Sequence, residues 1–392
     1  MLILVVNCGS SSVKCQLFEM APERVVARVR VENLGTPETV VTHESEDGRR
    51  GRFSAEISDH QTALETVLEL LGHPKVDGVG HRIVHGGESL TGSRPMTDDV
   101  LEAIHECIEM APLHNPAHLR GYHAAEALLP GATHVAVFDT AFHQTIPPEA
   151  YIYGLPYDFY TRYKIRRYGF HGTSHRYVSD RYGELAGVRP ENCRLITCHL
   201  GNGCSICAID RGRSVDTSMG FTPLEGLLMG TRSGDVDPAA VFFLMMREGL
   251  GVQEADALLN WRSGLLGISG ISNDMRTLLE HCRTGAPRAR LAVDAFCYRI
   301  KKYIGAYYAV LNGCEAVIFT GGIGENAAEV RAECCRSLEA LGIEIDAEKN
   351  AAARAVETDI SAPGARTRVW MIPTNEELLI ARDTAQCIRE LR

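Results

Sequence analysis

The amino-acid sequence predicts an α/β protein with two domains. The chain has 392 residues, more than one hydrophobic core usually supports. Apolar runs at residues 2–6 and 195–200 predict buried strands, and each is followed by a small polar turn and a second strand-like run. Because this hairpin pattern occurs once in each half, we expect two domains of similar build. The chain is expected to cross between them near residues 147–148.

Composition and charge indicate a globular protein and limit its partners. Hydrophobic residues make up 45% of the chain and charged residues 23%, which argues against disorder. The net charge of −10, with no basic stripe, argues against a nucleic-acid partner, and it requires that an anionic substrate be held by local positive charge. Residues 1–6 lack the basic start of a signal peptide, and no apolar run reaches membrane-spanning length. We therefore expect a cytoplasmic protein without a membrane partner.

Cysteine and histidine spacing predicts neither disulfides nor a zinc site. The thirteen cysteines are scattered, and Cys204 and Cys207 would point to opposite faces of a predicted strand. Reduced, buried thiols are therefore expected. His171 and His175 have H-x-x-x-H spacing, but the neighbouring glutamate of a zinc motif is missing and Gly172 disfavours a continuous helix.

Predicted helices alternate with the strands and give the chain its α/β character. Capping residues mark one helix clearly, with Asp59 as the N-cap and Gly72 as the stop. Residues 261–270 are expected to form a glycine-punctuated loop. Helical patterns cover residues 59–71, 98–110, 118–128, 174–186, 238–247, 252–260, 289–311 and a C-terminal segment ending near 391.

Glycine-rich turns around an arginine predict an anion site in the second half of the chain. Residues 199–238 contain three such turns, and Arg232 lies among small polar residues next to one of them. Glycine lets backbone N–H groups approach a ligand closely, and an arginine can fork onto a phosphate or carboxylate. A plain β-meander would also need glycine at its turns. The combination of three turns with an arginine favours the anion site.

Three further stretches are consistent with phosphate chemistry and also with ordinary structure. The polar turn before Lys14 could wrap a phosphate or hydrated Mg²⁺, but it is not a Walker A loop and equally fits a simple hairpin. Asp139 follows a predicted strand, where catalytic acids collect, although it would also serve as a helix cap. Residues 320–326 form a glycine loop between a strand and a helix, as in nucleotide sites, without the full G-x-G-x-x-G pattern.

Nine motifs in order make the sequence similar to acetate kinases, of the acetate/propionate kinase family in the actin-like ATPase superfamily. The resemblance covers nearly the whole chain. Its motifs are NCGSSSVK (7–14), GHRIVHGG (80–87), PLHNP (112–116), FDTAFH (138–143), YGFHGTSH (168–175), HLGNG (199–203), DTSMGFTPLEGLLMGTRSGDVDP (216–238), FTGGIGEN (319–326) and PTNEELLIA (373–381).

The resemblance implies an architecture as well as an activity. It implies the two-domain actin-like fold, with duplicated mixed-sheet domains around a cleft that closes on nucleotide. The expected domains are residues 1–143 plus 377–392, and residues 144–376. A homodimer is also implied. The activity is reversible transfer of the γ-phosphoryl group of ATP to acetate by direct in-line attack, which gives acetyl phosphate and ADP. The implied metal is Mg²⁺, with Mn²⁺ as the alternative.

The resemblance assigns catalytic roles to Arg82, Asp139, His171 and Arg232. The two arginines would flank the acetate and the transferring phosphoryl group, and His171 would donate a hydrogen bond to a phosphoryl oxygen. Acetate is already ionised at pH 7, so no strong general base is needed. Asp139 is therefore expected to position other groups, through Mg²⁺ or Arg82.

The remaining assigned residues fall into three sets. Asn7 and Glu376 match the metal-associated positions, and Val84, Leu113, Phe170 and Pro223 match an apolar pocket that, with Arg82, binds the acyl group. The nucleotide and phosphate set comprises Ser10, Ser12, Lys14, His114, His199, Leu200, Gly201, Asn202, Gly203, Asp274, Met275, Arg276, Gly322, Ile323, Gly324, Glu325 and Asn326.

Three alternatives share parts of this pattern. A propionate or other short-chain acyl kinase has every motif, and one methylene changes pocket affinity by only roughly 1–3 kcal/mol. A non-catalytic actin-like nucleotide-binding protein would not need all four catalytic residues together. A sugar kinase would need a hydroxyl-binding site where the resemblance implies a small apolar one.

Overall fold

The structure, a computed structural model, describes residues 1–112 and 114–392, so the predicted site residue Leu113 lies outside the described residues. These residues form two compact units. Unit 1 contains Met1–Gln144 and Asn375–Arg392, and unit 2 contains Thr145–Thr374. The divisions fall within two residues of the domain limits expected from the sequence.

Each unit has its own sheet. The strands of unit 1 are β1 (Leu2–Cys8), β2 (Ser12–Met20), β3 (Glu23–Glu32), β4 (Val40–Ser45), β5 (Arg50–Ser54), β6 (Gly78–Ile83), β7 (Arg94–Pro95) and β8 (Thr133–Phe138). The strands of unit 2 are β9 (Arg194–Leu200), β10 (Cys204–Asp210), β11 (Arg213–Thr217), β12 (Ala316–Thr320), β13 (Thr358–Asp359) and β14 (Arg368–Met371).

Helices follow or separate these strands along the chain. They are α1 (His60–Leu71), α2 (Asp98–Glu106), α3 (Asn115–Leu128), α4 (Pro148–Tyr151), α5 (Tyr157–Tyr163), α6 (Gly172–Ala186), α7 (Pro238–Glu248), α8 (Val252–Trp261), α9 (Gly264–Ser269), α10 (Met275–Arg283), α11 (Pro287–Val310), α12 (Gly321–Asn326), α13 (Ala328–Cys335), α14 (Ala347–Ala352) and α15 (Glu376–Glu390). Among the described residues, no helix combines the length and apolarity needed to cross a membrane.

The two sheets repeat one pairing scheme. In unit 1 the strand order is β5-β4-β3-β2-β1-β6-β8-β7, and in unit 2 it is β11-β10-β9-β12-β14-β13. In each sheet the two strands of a hairpin pair antiparallel, the first of them pairs in parallel with the next strand in line, and that strand pairs in parallel with the one after it. The hairpin predicted in each half is therefore confirmed, and the two units have similar central topology.

Strand β1 shows why its sequence is a continuous apolar run. Leu4 and Val6 lie in the hydrophobic cluster that includes Leu64 of α1, whereas Ile3 and Val5 lie in the cluster that includes Ile380 of α15. Successive side chains of a strand point to opposite faces, so a strand covered on both faces must be apolar at every position. Helix α15 thereby fixes the C-terminal segment onto the sheet of unit 1.

The predicted helix caps are confirmed at α1. The Asp59 carboxylate accepts a hydrogen bond from the Thr62 N–H at 2.9 Å, and Gly72 ends the helix in the left-handed conformation. Such caps satisfy backbone groups that the helix itself leaves unpaired. Helix α3 begins at Asn115, before the predicted start, because Pro116 fits the first turn of a helix.

Two glycine-rich segments predicted as loops are helical. Residues 264–269 form α9, in which the N–H groups of Leu265 and Leu266 donate to carbonyls of residues 229 and 230. Residues 321–326 form α12 instead of a loop before a helix, and Gly321 enters it with φ of 75°. Hydrogen bonds to residues distant in sequence stabilise the start of α9, and a backbone turn that favours glycine precedes α12. Neither feature is visible in local periodicity.

The approach of α15 to β6 requires glycine on the strand. A Cβ at Gly80 would lie 2.4 Å from Thr384 Oγ1 and 2.7 Å from Ile380 Cγ2 of α15. We predict that Gly80→Ala lowers the free energy of unfolding by about 1–3 kcal/mol, as overpacking of a core does. Urea denaturation followed by circular dichroism measures it. Gly92→Ala is the control, because a Cβ there meets no atom within 4 Å. Equal stability of the two variants would contradict the prediction.

Candidate active site

Functional side chains of unit 1 collect where parallel strands end. Asn7 is the penultimate residue of β1, Arg82 that of β6, and Asp139 directly follows β8. Strands β1, β6 and β8 are parallel neighbours, and the Asp139 N–H donates to the Ile83 carbonyl at 2.9 Å. Parallel strands bring their carboxyl ends to one edge of a sheet, which is where α/β proteins bind ligands. The topology therefore places these three predicted residues at the same edge.

Arg82 lies between two carboxylates. Its Nη2 is 2.7 Å from Asp139 Oδ2 and its Nε is 3.1 Å from Asp139 Oδ1, so the pair is bidentate. Its Nη1 is 3.9 Å from Glu376 Oε2. Burial alone would lower the pKa of the Arg82 guanidinium, but the charges of Asp139 and Glu376 raise it overall. Asp139, which is only 1% exposed, thus fixes the direction in which the guanidinium points.

Glu376 is the first residue of α15 and carries a perturbed carboxyl group. Burial raises its pKa to about 7, the Arg82 charge lowers it, and the charges of Asp139 and Glu377 raise it. The charge of Lys14 also lowers this pKa, so Lys14 acts on the same cluster. Because two carboxylates lie near a single arginine, a further positive charge would be stabilised at this edge of the sheet.

Three of the predicted phosphate ligands of unit 1, Ser10, Ser12 and Lys14, lie in or just after the polar turn that follows β1. The Gly9 N–H donates to the Ser12 carbonyl at 2.7 Å and closes the turn, while Ser10 lies exposed at its tip. In the hairpin register, Lys14 is the partner of Asn7. The turn, the lysine and the metal-associated asparagine therefore belong to one small surface.

A buried asparagine supports the segment after Arg82. Asn115 Nδ2 donates to the His85 carbonyl at 3.0 Å, and its Oδ1 accepts from the His85 N–H at 3.3 Å. This clamp holds the chain beside the predicted pocket residue Val84, which is buried. The predicted phosphate residue His114 is the N-cap of α3, one position before the clamp. Asn115 belongs to the PLHNP motif, but no role was predicted for it from the sequence.

The donor atoms of Asn7 and Glu376 fit a magnesium ion. Mg²⁺ prefers amide and carboxylate oxygens and usually takes one or two protein ligands together with waters and substrate phosphates. The negative charge of Asp139 raises the pKa of Glu376, so a bound cation would be favourable there. Within residues 1–112 and 114–392, no three His, Cys, Asp or Glu side chains form a cluster that could hold a metal alone.

His171 of unit 2 is held in an uncommon backbone conformation. It is the N-cap of α6 with φ of 57°, a left-handed value that is rare for a residue other than glycine and is often found at functional sites. Its Nδ1 lies 2.9 Å from Ser205 Oγ, and its ring stacks on His199 with centroids 4.3 Å apart. The ring is therefore fixed from two sides. Because of this conformation, α6 begins at Gly172 and His171 lies outside the helix that contains His175.

Arg232 and His171 both approach Gly203, the last residue of the HLGNG turn. A Cβ at Gly203 would be 3.4 Å from Arg232 Nη1 and 3.7 Å from His171 Nε2. Arg232 Nη1 donates to the Pro223 carbonyl at 3.2 Å, and among the described residues it forms no ion pair with a carboxylate. Burial lowers the pKa of this guanidinium. A desolvated, unneutralised cation beside a glycine turn is suited to bind an anion.

A partly buried polar network positions the loop that carries Pro223. Arg167 Nη1 donates to the carbonyls of Thr217, Ser218 and Met219 at 2.9–3.2 Å, and its Nη2 lies 2.6 Å from Glu225 Oε1. Other loop contacts come from Tyr153, which donates to Glu225, and from Tyr168, whose N–H donates to the Gly220 carbonyl. The loop is thus fixed at both ends. The network is not predictable from local sequence patterns, because its members lie up to 72 residues apart.

A cavity of about 850 Å³ lies in unit 2 beside the HLGNG turn. Many predicted nucleotide residues line it, namely Gly201, Asn202, Asp274, Met275, Arg276, Gly322, Ile323 and Asn326. Other lining residues were not predicted, and these are Asn273, Leu279, Glu280, Arg283, Ala327, Glu329 and Arg354. The cavity combines apolar side chains with charged ones at a size suited to a nucleoside.

Known proteins match this chain over nearly its whole length. The acetokinase family model matches residues 2–382. An acetate kinase of Desulfitobacterium hafniense is 53% identical, with 100% of both chains covered. An acetate kinase of Methanosarcina acetivorans is 50% identical, with 100% of this chain and 98% of that protein covered. The chain belongs to the acetokinase family.

Solved structures agree with membership in the acetokinase family. The crystal structure of Porphyromonas gingivalis acetate kinase has a TM-score of 0.94 and 46% identity, covering 99% of each chain. A propionate kinase from Francisella tularensis has a TM-score of 0.93 and 41% identity, covering 98% of this chain and 99% of its own. The expected α/β fold class, with a mixed sheet in each of two units, is therefore confirmed.

Not every predicted nucleotide residue of this acetokinase-family chain lines the cavity. Leu200 and Gly324 are buried, and Glu325 points away from it. Glu325 Oε1 accepts from the N–H groups of Gly321 and Thr374 at 3.0 and 3.1 Å. Burial raises the pKa of Glu325, whereas these backbone hydrogen bonds lower it. Its position therefore indicates a supporting role, and His199 and Gly203 face His171 instead.

A buried arginine supports α12 from its other end. Arg331 is 0% exposed, and its Nη1 donates to the carbonyls of Gly324 and Glu325 at 2.8 and 3.1 Å. Its other nitrogens donate to Asn350 and to the Ala353 carbonyl at 2.8–2.9 Å. The last carbonyls of a helix lack partners within it, so Arg331 satisfies two of them and ties α12 to α14.

Proposed function

We propose that this protein is an acetate kinase, which reversibly transfers the γ-phosphoryl group of ATP to acetate and forms acetyl phosphate and ADP. The observation that carries the proposal is the partly buried Arg232 guanidinium, which has no carboxylate partner among the described residues and lies with His171 beside Gly203. A relative that is 53% identical over the whole chain has the name acetate kinase, which supports the choice of substrate.

The proposed chemistry is a direct in-line displacement. An oxygen of the acetate carboxylate forms a bond to the γ-phosphorus while the bond from that phosphorus to the ADP oxygen breaks. Most of the catalysis in such a transfer is positioning and neutralisation of charge on the equatorial oxygens. In this proposal Arg232 and His171 donate hydrogen bonds to those oxygens. Acetate needs no general base because it is ionised at pH 7.

Arg82 and Asp139 are proposed to act as a unit. The bidentate contact leaves the remaining N–H groups of the guanidinium to bind anionic substrate, and the carboxylate keeps them in one direction. Asp139 is therefore a positioning residue in this proposal, because its oxygens are already engaged with Arg82.

Asn7 and Glu376 are the residues proposed to hold Mg²⁺, with Mn²⁺ as the alternative ion. When bound, the ion would neutralise charge on the nucleotide phosphates. Glu376→Gln is expected to raise the Mg²⁺ concentration that gives half-maximal activity, since it replaces a negatively charged carboxylate ligand with a neutral amide. An unchanged Mg²⁺ dependence would remove Glu376 from the metal site.

The acyl specificity tests the proposed substrate. We predict that kcat/KM for ATP-dependent acyl phosphate formation is highest with acetate and lower with propionate and butyrate. Apart from Arg82, the residues that the resemblance assigns to the acyl group are apolar, and in such a small pocket added methylenes would have to displace side chains. Hydroxylamine trapping of the acyl phosphate measures the rates, with Mg²⁺ present.

The alternatives give different results in the same assay. A clear preference for propionate would identify a propionate kinase, which the match to the propionate kinase structure from Francisella tularensis keeps in consideration. ATP binding without acyl phosphate from any of the three acids would identify a non-catalytic nucleotide-binding protein.

We also propose that the protein forms a homodimer through α7. This helix has no buried residue, and Phe242 and Met246 on it are 63% and 78% exposed. An apolar helix surface of this kind usually marks an interaction site. A second copy of the chain is the partner that the family resemblance implies.

Light scattering after size-exclusion chromatography tests the dimer. We predict twice the chain mass of 43.0 kDa for the wild type and a single chain mass for Phe242→Glu combined with Met246→Glu. Val356→Glu is the control, because Val356 is an exposed apolar residue outside the helices and strands of the structure. A dimer that persists in the double variant would contradict the assignment of α7.

A further inference from the structure

Four side chains of unit 2 form a continuous row of hydrogen bonds that ends at His171. Thr197 Oγ1 lies 2.7 Å from His175 Nδ1, and His175 Nε2 lies 2.7 Å from Ser205 Oγ. Ser205 Oγ in turn lies 2.9 Å from His171 Nδ1. Thr197, His175 and Ser205 are all buried, so water does not replace any of these contacts.

The first link fixes the direction of the row. Among the described residues, the hydrogen-bond partner of the Thr197 hydroxyl is His175 Nδ1. A hydroxyl carries one proton, and leaving it without an acceptor in the protein interior costs free energy. The Thr197 proton therefore points at His175 Nδ1, which must be an unprotonated acceptor.

The other links follow from the number of protons that each group carries. A neutral histidine has one N–H, so His175 is protonated on Nε2 and donates to Ser205 Oγ. The single proton of Ser205 is then directed to His171 Nδ1. Because this nitrogen accepts, the proton of a neutral His171 is on Nε2. The opposite direction would satisfy the two histidines equally well but would leave the Thr197 hydroxyl without an acceptor.

We propose that Thr197, His175 and Ser205 are positioning residues that fix His171 as the neutral tautomer with its proton on Nε2. The inference rests on the proposed function for its catalytic meaning. Nε2 is the ring nitrogen on the side of Gly203, 3.7 Å from where a Cβ would lie, and Arg232 Nη1 is 3.4 Å from the same point. The Nε2–H group of His171, instead of a lone pair, therefore faces the point beside Gly203 that the Arg232 guanidinium also approaches.

The tautomer determines whether His171 attracts or repels the transferring group. An Nε2–H group donates to a phosphoryl oxygen as negative charge develops on it. The other tautomer would direct a lone pair at that oxygen. A hydrogen-bond partner on one ring nitrogen is a general means of fixing which nitrogen carries the proton, and for metal-ligating histidines loss of such a partner costs roughly 10–100-fold in affinity or activity.

Thr197→Val and Thr197→Ser form the matched pair that tests the row. At this buried position Val keeps the shape of the Thr side chain without its hydroxyl, whereas Ser keeps the hydroxyl and loses one methyl group. We expect Thr197→Val to lower kcat by about 10-fold or more with the KM for ATP changed by less than about 2-fold. Thr197→Ser is expected to restore kcat to within about 2-fold of the wild type. Circular dichroism and thermal unfolding verify that both variants fold.

¹⁵N NMR of histidine-labelled protein reads the tautomer without relying on activity. The His171 signals are assigned by their absence from His171→Gln. The wild type and Thr197→Ser should show the Nε2–H tautomer, and Thr197→Val should show a mixture of both. An Nδ1–H tautomer in the wild type, or the same tautomer and the same kcat in Thr197→Val and Thr197→Ser, would overturn the proposal. A tautomer change in a protein that makes no acyl phosphate would support the row and contradict the proposed function.

Discussion

The chemistry of unit 2 depends on the partly buried guanidinium of Arg232, which has no carboxylate partner among the described residues. Arg232 loses hydration on burial, and the Pro223 carbonyl compensates only part of that loss. The stabilisation that is missing in the free protein is available from an anion. This arrangement requires a rigid surrounding loop, and the network centred on Arg167 and Glu225 supplies it. Rigidity and unsatisfied charge together define a site prepared for a phosphoryl group.

The functional arginine of unit 1, in contrast, is paired with a carboxylate. Arg82 is paired with Asp139 in a bidentate contact and lies near Glu376, so its charge is compensated and its direction is fixed. The two units repeat one sheet topology, yet one presents an oriented, paired arginine and the other a free charge beside a histidine. Repetition of a fold therefore did not repeat the chemistry, because function depends on the side chains placed on it.

Much of this structure is predictable from sequence because its signals are local. The hairpins at β1–β2 and β9–β10, and the caps of α1 at Asp59 and Gly72, follow from apolar runs and turn residues within a few positions. The motif residues that line the cavity of unit 2 were likewise recognisable. Helices α9 and α12 were not, because contacts distant in sequence or a glycine at positive φ produce them. Supporting residues such as Ser205 and Arg331 act through partners 6 to 34 positions away, and no local pattern marks them.

The affinity for ADP with and without a phosphoryl mimic tests the central role of Arg232 most directly. In the wild type with Mg²⁺ and acetate, aluminium fluoride should tighten ADP binding by at least about 100-fold, as transition-state analogues do. In Arg232→Ala we predict that ADP alone binds within about 3-fold of the wild type and that the tightening is lost, because the arginine acts on the transferring group and not on the nucleoside. Isothermal titration calorimetry measures both affinities. Full tightening in Arg232→Ala would contradict the account.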